Sequence, residues 1–154
     1  MKVNILIPYN FTVNDEIAID FVGRRYAERK EVEITLFHAF TPVPNIDSRN
    51  NPIMDKVNRG ASYLRVHQEE EKQALEAARQ ALMNYGFAGH HIHCLYQPVR
   101  RDIADDIIRL WKKGKFDVVV LNRNPGNIIN YFSRSISKRV TRHVEGGIGV
   151  HIVN

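Results

Sequence analysis

The sequence predicts an α/β protein built on one doubly wound, five-stranded parallel sheet, and two observations lead to this fold class. Short apolar runs alternate with stretches of helical periodicity along the chain. The clearest example is the C-terminal quarter, where apolar runs at 117–121 and 148–153 flank a helix-like stretch at about 133–143. No internal repeat interrupts this alternation. Right-handed crossovers then place helices on both faces of the sheet, with strand order 3-2-1-4-5, and residues 1–154 are expected to form one domain.

The first half of the chain supplies two strands and a helix. Residues 3–8 predict strand one, which Pro8 ends. Thr12, with Asp15 three residues on, predicts the start of a helix that runs to about Arg29. Residues 32–38 predict strand two. The residues expected on the inward face of the helix are Ile17, Ala18, Phe21, Val22 and Ala27.

The second half begins with a change of character. Prolines, asparagines and a lack of periodicity between Thr41 and about Gly60 predict a long, mobile loop. A long helix is expected over about 62–85, ended by Gly86, and strand three over 91–96. The inward residues of this helix are expected to be Leu64, Leu75, Ala78 and Leu82.

A third helix is predicted between strands three and four. Asp102 is placed to cap it, and Lys112, Lys113 and Gly114 form a typical C-terminus. The residues that share its apolar face are Ile103, Ile107, Leu110 and Trp111.

Composition excludes several classes of protein. The 154 residues are 44% apolar and 25% charged, which is ordinary for a globular domain and argues against disorder. No apolar run reaches membrane-spanning length, and the N-terminus has no signal-peptide pattern. The single cysteine, Cys94, excludes an internal disulfide. We therefore expect a cytoplasmic protein without a membrane partner.

The net charge of +5 does not by itself predict a nucleic-acid partner. Basic and acidic residues alternate along the predicted helices, as on solvated helix faces. The basic residues of the last helix, Arg134, Lys138, Arg139 and Arg142, are interpreted in the same way. A small ligand that carries phosphate suits the same excess of positive charge.

The ligand crevice is expected between strands one and four. In a sheet of order 3-2-1-4-5 the strand order reverses there, and such folds bind ligands beyond the carboxyl ends of the strands. Those ends are residues 8–12 and the polar loop 122–127.

Three segments, ILIPYNFT at residues 5–12, LFHA at 36–39 and SISKRVTRH at 135–143, together resemble the universal stress protein family. Residues 5–12 (ILIPYNFT) are similar to its first strand and turn, which often read I-L-V-P-x-D-F-S. Residues 36–39 (LFHA) resemble its second strand, often L-L-H-V. Residues 135–143 (SISKRVTRH) resemble its last helix, commonly S-V-A-E-R-V-L-R-H. The similarity follows the whole chain in order, and it implies the same fold and a role in stress response.

The resemblance also implies where a nucleotide would bind. Binding members carry Asp at the end of strand one and, after strand four, Gly, two residues, Gly, nine residues, then Gly-Ser or Gly-Thr. Here Asn10 replaces the Asp, Arg134 replaces the third glycine, and Ser135 alone matches. The first two glycine positions fall on Asn122 and Pro125 when counted from strand four, or on Leu121 and Asn124 when counted back from Ser135.

The candidate residues of this degenerate site are Pro8, Tyr9, Asn10, Ala39, Asn122, Arg123, Asn124, Gly126, Arg134, Ser135 and Ile136.

These departures predict that ATP binds weakly or not at all. Glycines let backbone N–H groups approach phosphates, whereas Pro125 has no N–H and Arg134 adds bulk. Asn10 also removes a negative charge. Arg123, Arg134 and Ser135 could still hold an anion in another geometry, with Gly126 as a displaced glycine.

Other chemistry receives little support. His91 and His93 would share one face of strand three, but they lack further ligands at metal-site spacing, so ordinary strand residues are the preferred interpretation. Cys94 is expected to be a packed thiol within that strand. The ends of strands one and three lack the carboxylates of a phosphoacceptor domain. No phosphate-binding Gly-x-x-x-x-Gly-Lys loop, dinucleotide fingerprint or nucleophile elbow is present.

Two hypotheses follow for the function. The first is a non-catalytic binding and regulatory module in stress response; the second is an adenine-nucleotide-binding protein with weak ATP hydrolysis that uses Arg123, Gly126 and Ser135. In either case we expect a homodimer through the last strand. That strand would be a sheet edge, with Val150 and Ile152 on one face and no lysine or proline to block pairing.

Overall fold

The computed structural model describes residues 2–11, 14–42, 52–114, 116–122 and 149–153, with the backbone alone at 14, 52–58, 122, 149 and 150. Its strands are β1 (Val3–Pro8), β2 (Val32–Phe40), β3 (Ile92–Pro98), β4 (Val118–Asn122) and β5 (Gly149–Val153). Its helices are α1 (Asn14–Tyr26), α2 (Pro52–Asn84) and α3 (Ile103–Gly114), with a short 3₁₀ turn at Gly89–His91. Within these ranges no helix is both long and apolar enough to span a bilayer.

The strands form one parallel sheet in the order β3-β2-β1-β4-β5, which confirms the predicted fold class and strand order. β1 lies between β2 and β4, with Val3 opposite Val32 and Ile5 opposite Val118. The reversal of strand order therefore falls beside the carboxyl end of β1, where a ligand crevice is expected.

Alternation along the strands divides the core between two faces. On one face α1 and α2 pack against the sheet through a cluster that includes Ile5, Ile7, Ile34 and Leu36. On the other face α3 packs against a cluster that includes Leu6, Phe37, Val119 and Leu121. The central strands are thus buried on both sides, which explains their near-continuous apolar sequences.

Helix α1 differs from its prediction in length and in which residues face inward. It ends at Tyr26, three residues before Arg29. Ile17 is 39% exposed, whereas Ala18, Ile19 and Val22 are buried. An amphipathic helix presents only a limited apolar stripe to the sheet, and here Ile19, not Ile17, lies within it. The predicted N-cap at Thr12 lies outside the described residues.

Helix α2 begins ten residues earlier than predicted. The predicted loop from Thr41 to Gly60 is wrong for residues 52–60, which are helical. Proline is favourable in the first turn of a helix because its missing N–H has no helical partner there, so Pro52 opens the helix. Residues 43–51 lie outside the described part, and their mobility stays a prediction.

The remaining predicted elements follow the expected course. Leu75, Ala78 and Leu82 are buried on α2. Gly86 follows α2 with φ 106°, a backbone conformation that favours glycine. Asp102 caps α3, since its Oδ1 accepts a hydrogen bond from the Asp105 N–H at 2.8 Å. The predicted fourth helix, at about 133–143, lies outside the described residues.

A carboxylate joins β2 to the edge strand β3. Glu33 accepts hydrogen bonds of 2.7 Å from His91 Nδ1 and His93 Nε2, and Lys2 Nζ lies 3.5 Å from Oε1. His91 belongs to the 3₁₀ turn and not to the strand as predicted, yet both rings reach the same side chain. Partial burial alone would raise the pKa of Glu33, but the bonds from the two histidines lower it to about 2.

Glu33 should therefore support folding above its ordinary pKa of 4.5, and this support should be lost as pH falls from there towards 2. We expect Glu33→Gln to lower the free energy of unfolding by about 1 kcal/mol at pH 6, with the deficit shrinking below pH 4. Urea unfolding from pH 2 to pH 7 measures this difference in the free energy of unfolding. Glu28→Gln, at an exposed position, is the matched control. A Glu33→Gln deficit that stays constant down to pH 2 would rule this account out.

Candidate functional site

The carboxyl end of β1 is held firmly against β2. The Tyr9 N–H donates a 2.7 Å hydrogen bond to the Phe37 carbonyl, continuing the pairing past Pro8. Asn10 is 7% exposed, and Phe11 has a left-handed backbone with φ 61°. This conformation is uncommon for an aromatic residue, so surrounding contacts must stabilise it.

A buried carboxylate lies beneath this turn. Asp15, in the first turn of α1, is 0% exposed, and its Oδ1 accepts a hydrogen bond from the Asn10 N–H at 3.4 Å. A negative charge is stabilised there by the N–H groups at the helix N-terminus. The pKa of Tyr9 is raised to about 12. Burial of its hydroxyl is the largest cause, and the negative charges of Asp15 and Glu16 are the next.

A cavity of about 230 Å³, lined by both polar and apolar side chains, lies between this turn, the end of β2 and helix α2. α2 contributes residues at positions 64, 67, 68 and 71, which share one helix face. Gln68 closes one side by donating a 3.0 Å hydrogen bond to the Thr41 carbonyl. The side chains that define the cavity are Asn10, Phe11, His38, Leu64, His67 and Glu71.

His38 and Glu71 form a buried pair at the base of the cavity. They are 5% and 8% exposed, and His38 Nε2 lies 2.5 Å from Glu71 Oε2. The other ring nitrogen, Nδ1, lies 2.7 Å from the Tyr9 carbonyl oxygen. The second oxygen of Glu71 lies 3.4 Å from Nε2 of the exposed His67. One histidine therefore joins β1, β2 and α2.

Aromatic rings enclose the His38 ring. The Phe11 ring packs edge-on at 4.5 Å between centroids, and the Tyr96 ring of β3 stacks at 5.7 Å. Burial and the Glu71 carboxylate raise the pKa of Tyr96. The contact with His38 accounts for the inward position of Phe11 and hence for its unusual backbone.

The structure brings together part of the predicted site. Pro8, Tyr9 and Asn10 lie at the turn, and Asn122 ends β4 next to β1. Ala39 is buried, but its side chain packs in the cluster on the α3 side of the sheet, so only its backbone can face the crevice. Arg123, Asn124, Gly126, Arg134, Ser135 and Ile136 lie outside the described residues.

Sequence reasoning missed His38, His67 and Glu71 as site residues, although a signal for the buried pair was present. His38 follows Ile34 and Leu36 at strand spacing, and Glu71 precedes Leu75, Ala78 and Leu82 at helical spacing. Polar residues at core positions normally have buried partners, so these two positions could have been paired.

The structure also places the two other candidates, the histidines His91 and His93 and the thiol of Cys94. No group of three or more metal-ligating side chains in the described ranges has the geometry of a metal site. His91 and His93 are engaged by Glu33. Cys94 lies within β3 as predicted. The residue is exposed on this edge strand, but its thiol lies 3.8 Å from the Leu75 carbonyl of α2, and partial burial raises its pKa.

Comparison with known proteins shows the fold. No family profile and no curated protein sequence matches the chain. Universal stress protein UspA from Lactobacillus plantarum superposes with a TM-score of 0.68 and 16% identity, covering 99% of this chain and 97% of that one. The universal stress protein from Archaeoglobus fulgidus in complex with dAMP gives 0.61 and 13%, covering 99% and 98%. A universal stress protein family protein from Arabidopsis thaliana with AMP bound gives 0.57 and 12%, covering 99% and 92%.

Asp15 should be a large contributor to the stability of the turn. We expect Asp15→Ala to lower the free energy of unfolding by about 2 kcal/mol, because it leaves the Asn10 N–H without its buried acceptor and removes a carboxylate from the N-terminus of α1. Glu16→Ala is the matched control, since Glu16 is exposed in the same turn and its loss should cost about 0.5 kcal/mol. Thermal unfolding at pH 7 distinguishes the two, and equal losses would refute the contribution of the buried bond.

Proposed function

We propose that this chain, which has the universal stress protein fold, is a non-catalytic regulatory module that senses a small ligand and acts in stress response. The observation that carries the proposal is the cavity at the carboxyl ends of β1 and β2, combined with Asn10 in place of an acidic residue. A cavity at the carboxyl ends of the strands is the usual ligand position in this class of fold.

The cavity suits one uncharged part of a ligand. Its volume of about 230 Å³ is smaller than the ~300–1,000 Å³ of sites that hold a whole drug-sized molecule. Its walls offer amide, hydroxyl and imidazole groups for hydrogen bonds and the Phe11 ring for stacking. A heterocyclic base or a sugar meets these requirements, and the rest of the ligand would extend towards Asn122 and the loop that follows.

The phosphate end of such a ligand would be held poorly. The loop after β4 replaces the family's glycines, so fewer backbone N–H groups can approach phosphate oxygens. Removal of the strand-one carboxylate weakens a hydrogen bond to the sugar, because a charged acceptor gives the stronger bond. These losses support weak binding of adenine nucleotides and a regulatory, not a hydrolytic, activity.

The second candidate is an adenine-nucleotide-binding protein with weak hydrolysis. It is favoured by the likeness to universal stress protein structures that hold dAMP and AMP. In this case Arg123, Gly126 and Ser135 would hold the phosphates in a geometry of their own, and affinity would rise with the number of phosphates.

Calorimetric titration with adenosine, AMP, ADP and ATP, with magnesium, separates the two candidates. We expect no dissociation constant in the low micromolar range and no systematic gain from adenosine to ATP, because the loop after β4 adds few phosphate contacts. Arg134→Gly is the informative variant: restoring a glycine should tighten ATP more than adenosine. ATP that binds wild type at low micromolar concentration, or that co-purifies stoichiometrically, would refute the proposal.

We also propose a homodimer built on β5. Among the described strands β5 forms one edge of the sheet and β3 the other, and Ile152 is 39% exposed on β5. An unpaired apolar edge is a template for pairing with a second copy, and a two-fold arrangement satisfies both edges.

Ile152→Lys, like Val150→Lys, should shift the protein towards monomer, because it places a charge in an apolar contact. Multi-angle light scattering at micromolar concentration measures the mass. Ile17→Lys is a matched control at an equally exposed apolar position on α1. A wild-type monomer would disprove the dimer, and a dimer that survives both edge substitutions would place its interface elsewhere.

A further inference from the structure

The hydrogen bond to Tyr9 fixes the protonation of one His38 nitrogen. A carbonyl oxygen only accepts hydrogen bonds, so Nδ1, at 2.7 Å from it, must carry a hydrogen and donate. The neutral ring then has a lone pair on Nε2, which is the nitrogen that faces Glu71.

The short distance on the other side of the ring requires a second proton. Nε2 of a neutral ring and an ionised carboxylate oxygen both present lone pairs, and they cannot approach to 2.5 Å without a hydrogen between them. The proton can lie on either atom, and in both cases the pair has no net charge. Burial is the largest influence on the pKa of His38 and lowers it, while the Tyr9 carbonyl and Glu71 act in the opposite direction.

This shared proton holds α2 over the end of β2. Glu71 is fixed on α2 and His38 on β2, and the cavity lies beside the contact between them. Loss of the proton would leave the buried carboxylate of Glu71 against the lone pair of His38 Nε2, with the exposed His67 at 3.4 Å from its other oxygen. A buried carboxylate that faces a lone pair is unfavourable. Separation of the two side chains, which admits water to both, relieves that cost.

Other groups face the pair from three elements. His67, Glu69 and Lys72 lie on α2 around Glu71, with Lys72 Nζ 5.7 Å from the centre of the Tyr96 ring. Tyr96 on β3 and Tyr9 on β1 complete the surroundings. The pKa values of both tyrosines are raised, so neither ionises near neutral pH.

We propose that the proton shared by His38 and Glu71 controls access to the cavity: while it is held, α2 stays closed over the end of β2, and its release at higher pH opens the segment at 61–72. The opening itself is a property of the ligand-free protein. Its consequence for ligand entry rests on the proposed function.

Amide hydrogen exchange of the ligand-free protein between pH 5.5 and 8.5 tests the opening. Protection at residues 61–72, taken relative to residues 75–84 of the same helix, should fall by about tenfold per pH unit over the range in which the closed pair still holds its proton and the separated side chains do not, and it should level off above that range. Glu71→Gln should abolish this fall, because the amide always donates to Nε2. Glu70→Gln, at an exposed neighbouring position, should behave as wild type.

Three results would overturn the proposal. Wild-type protection that does not depend on pH shows that no proton-linked opening exists. The same fall in Glu71→Gln shows that the pair is not its source. Loss of the pH response in His67→Gln, which leaves the His38–Glu71 contact intact, shows that His67 is the group that titrates.

Measurement of the rate of AMP association at pH 5.5 and pH 8.5 tests the consequence for ligand entry. Association with wild type should be faster at the higher pH, and Glu71→Gln should bind slowly at both. Equal rates in wild type, alongside a confirmed opening, overturn the control of access. Absence of AMP binding at either pH refutes nucleotide sensing and ligand control together, while the exchange data decide the opening on their own.

Discussion

The most demanding interaction in the molecule is the one that His38 makes with three elements at once. Its ring donates to the backbone of β1, belongs to β2 and contacts a carboxylate of α2. A buried histidine and a buried glutamate are tolerated only when their polar atoms are satisfied, so the positions of all three elements are coupled. The turn at Asn10, the inward Phe11 ring and the cavity wall at His67 all depend on this arrangement.

The same arrangement sets the character of the candidate site. A neutral pair at the base of the cavity neither attracts phosphate nor repels it, so recognition there depends on hydrogen bonds and stacking. Among the described residues near the turn, the buried carboxylate of Asp15 supplies a negative charge beneath it. The fold is that of proteins whose structures hold adenine nucleotides, but the residues that would grip the phosphates have changed. These changed residues are the basis on which we propose ligand sensing, and not turnover, for this site.

The strands of the sheet can be predicted because each is marked by the residues of its own segment. Runs such as 118–121 and the alternation of strand and helix require no knowledge of partners, and topology rules then restrict the strand order. The start of α2 was missed because Pro52 and Gly60 are read as loop signals, whereas packing of the long helix outweighs a propensity cost of about 1 kcal/mol for the glycine. The His38–Glu71 pair was missed for a different reason: it joins residues 33 positions apart, and only the fold brings them together.

The positions of the protons on the His38 ring decide whether His38 joins the Tyr9 carbonyl to Glu71 as described. Nitrogen-15 NMR of the imidazole, with histidine assignments from a His38→Gln spectrum, reads both ring nitrogens at pH 6. We expect Nδ1 to be protonated and Nε2 to be in a strong hydrogen bond to Glu71, and this hydrogen bond should disappear in Glu71→Ala. A ring with its single proton on Nε2 and a bare Nδ1 could not donate to the Tyr9 carbonyl, and it would contradict the account.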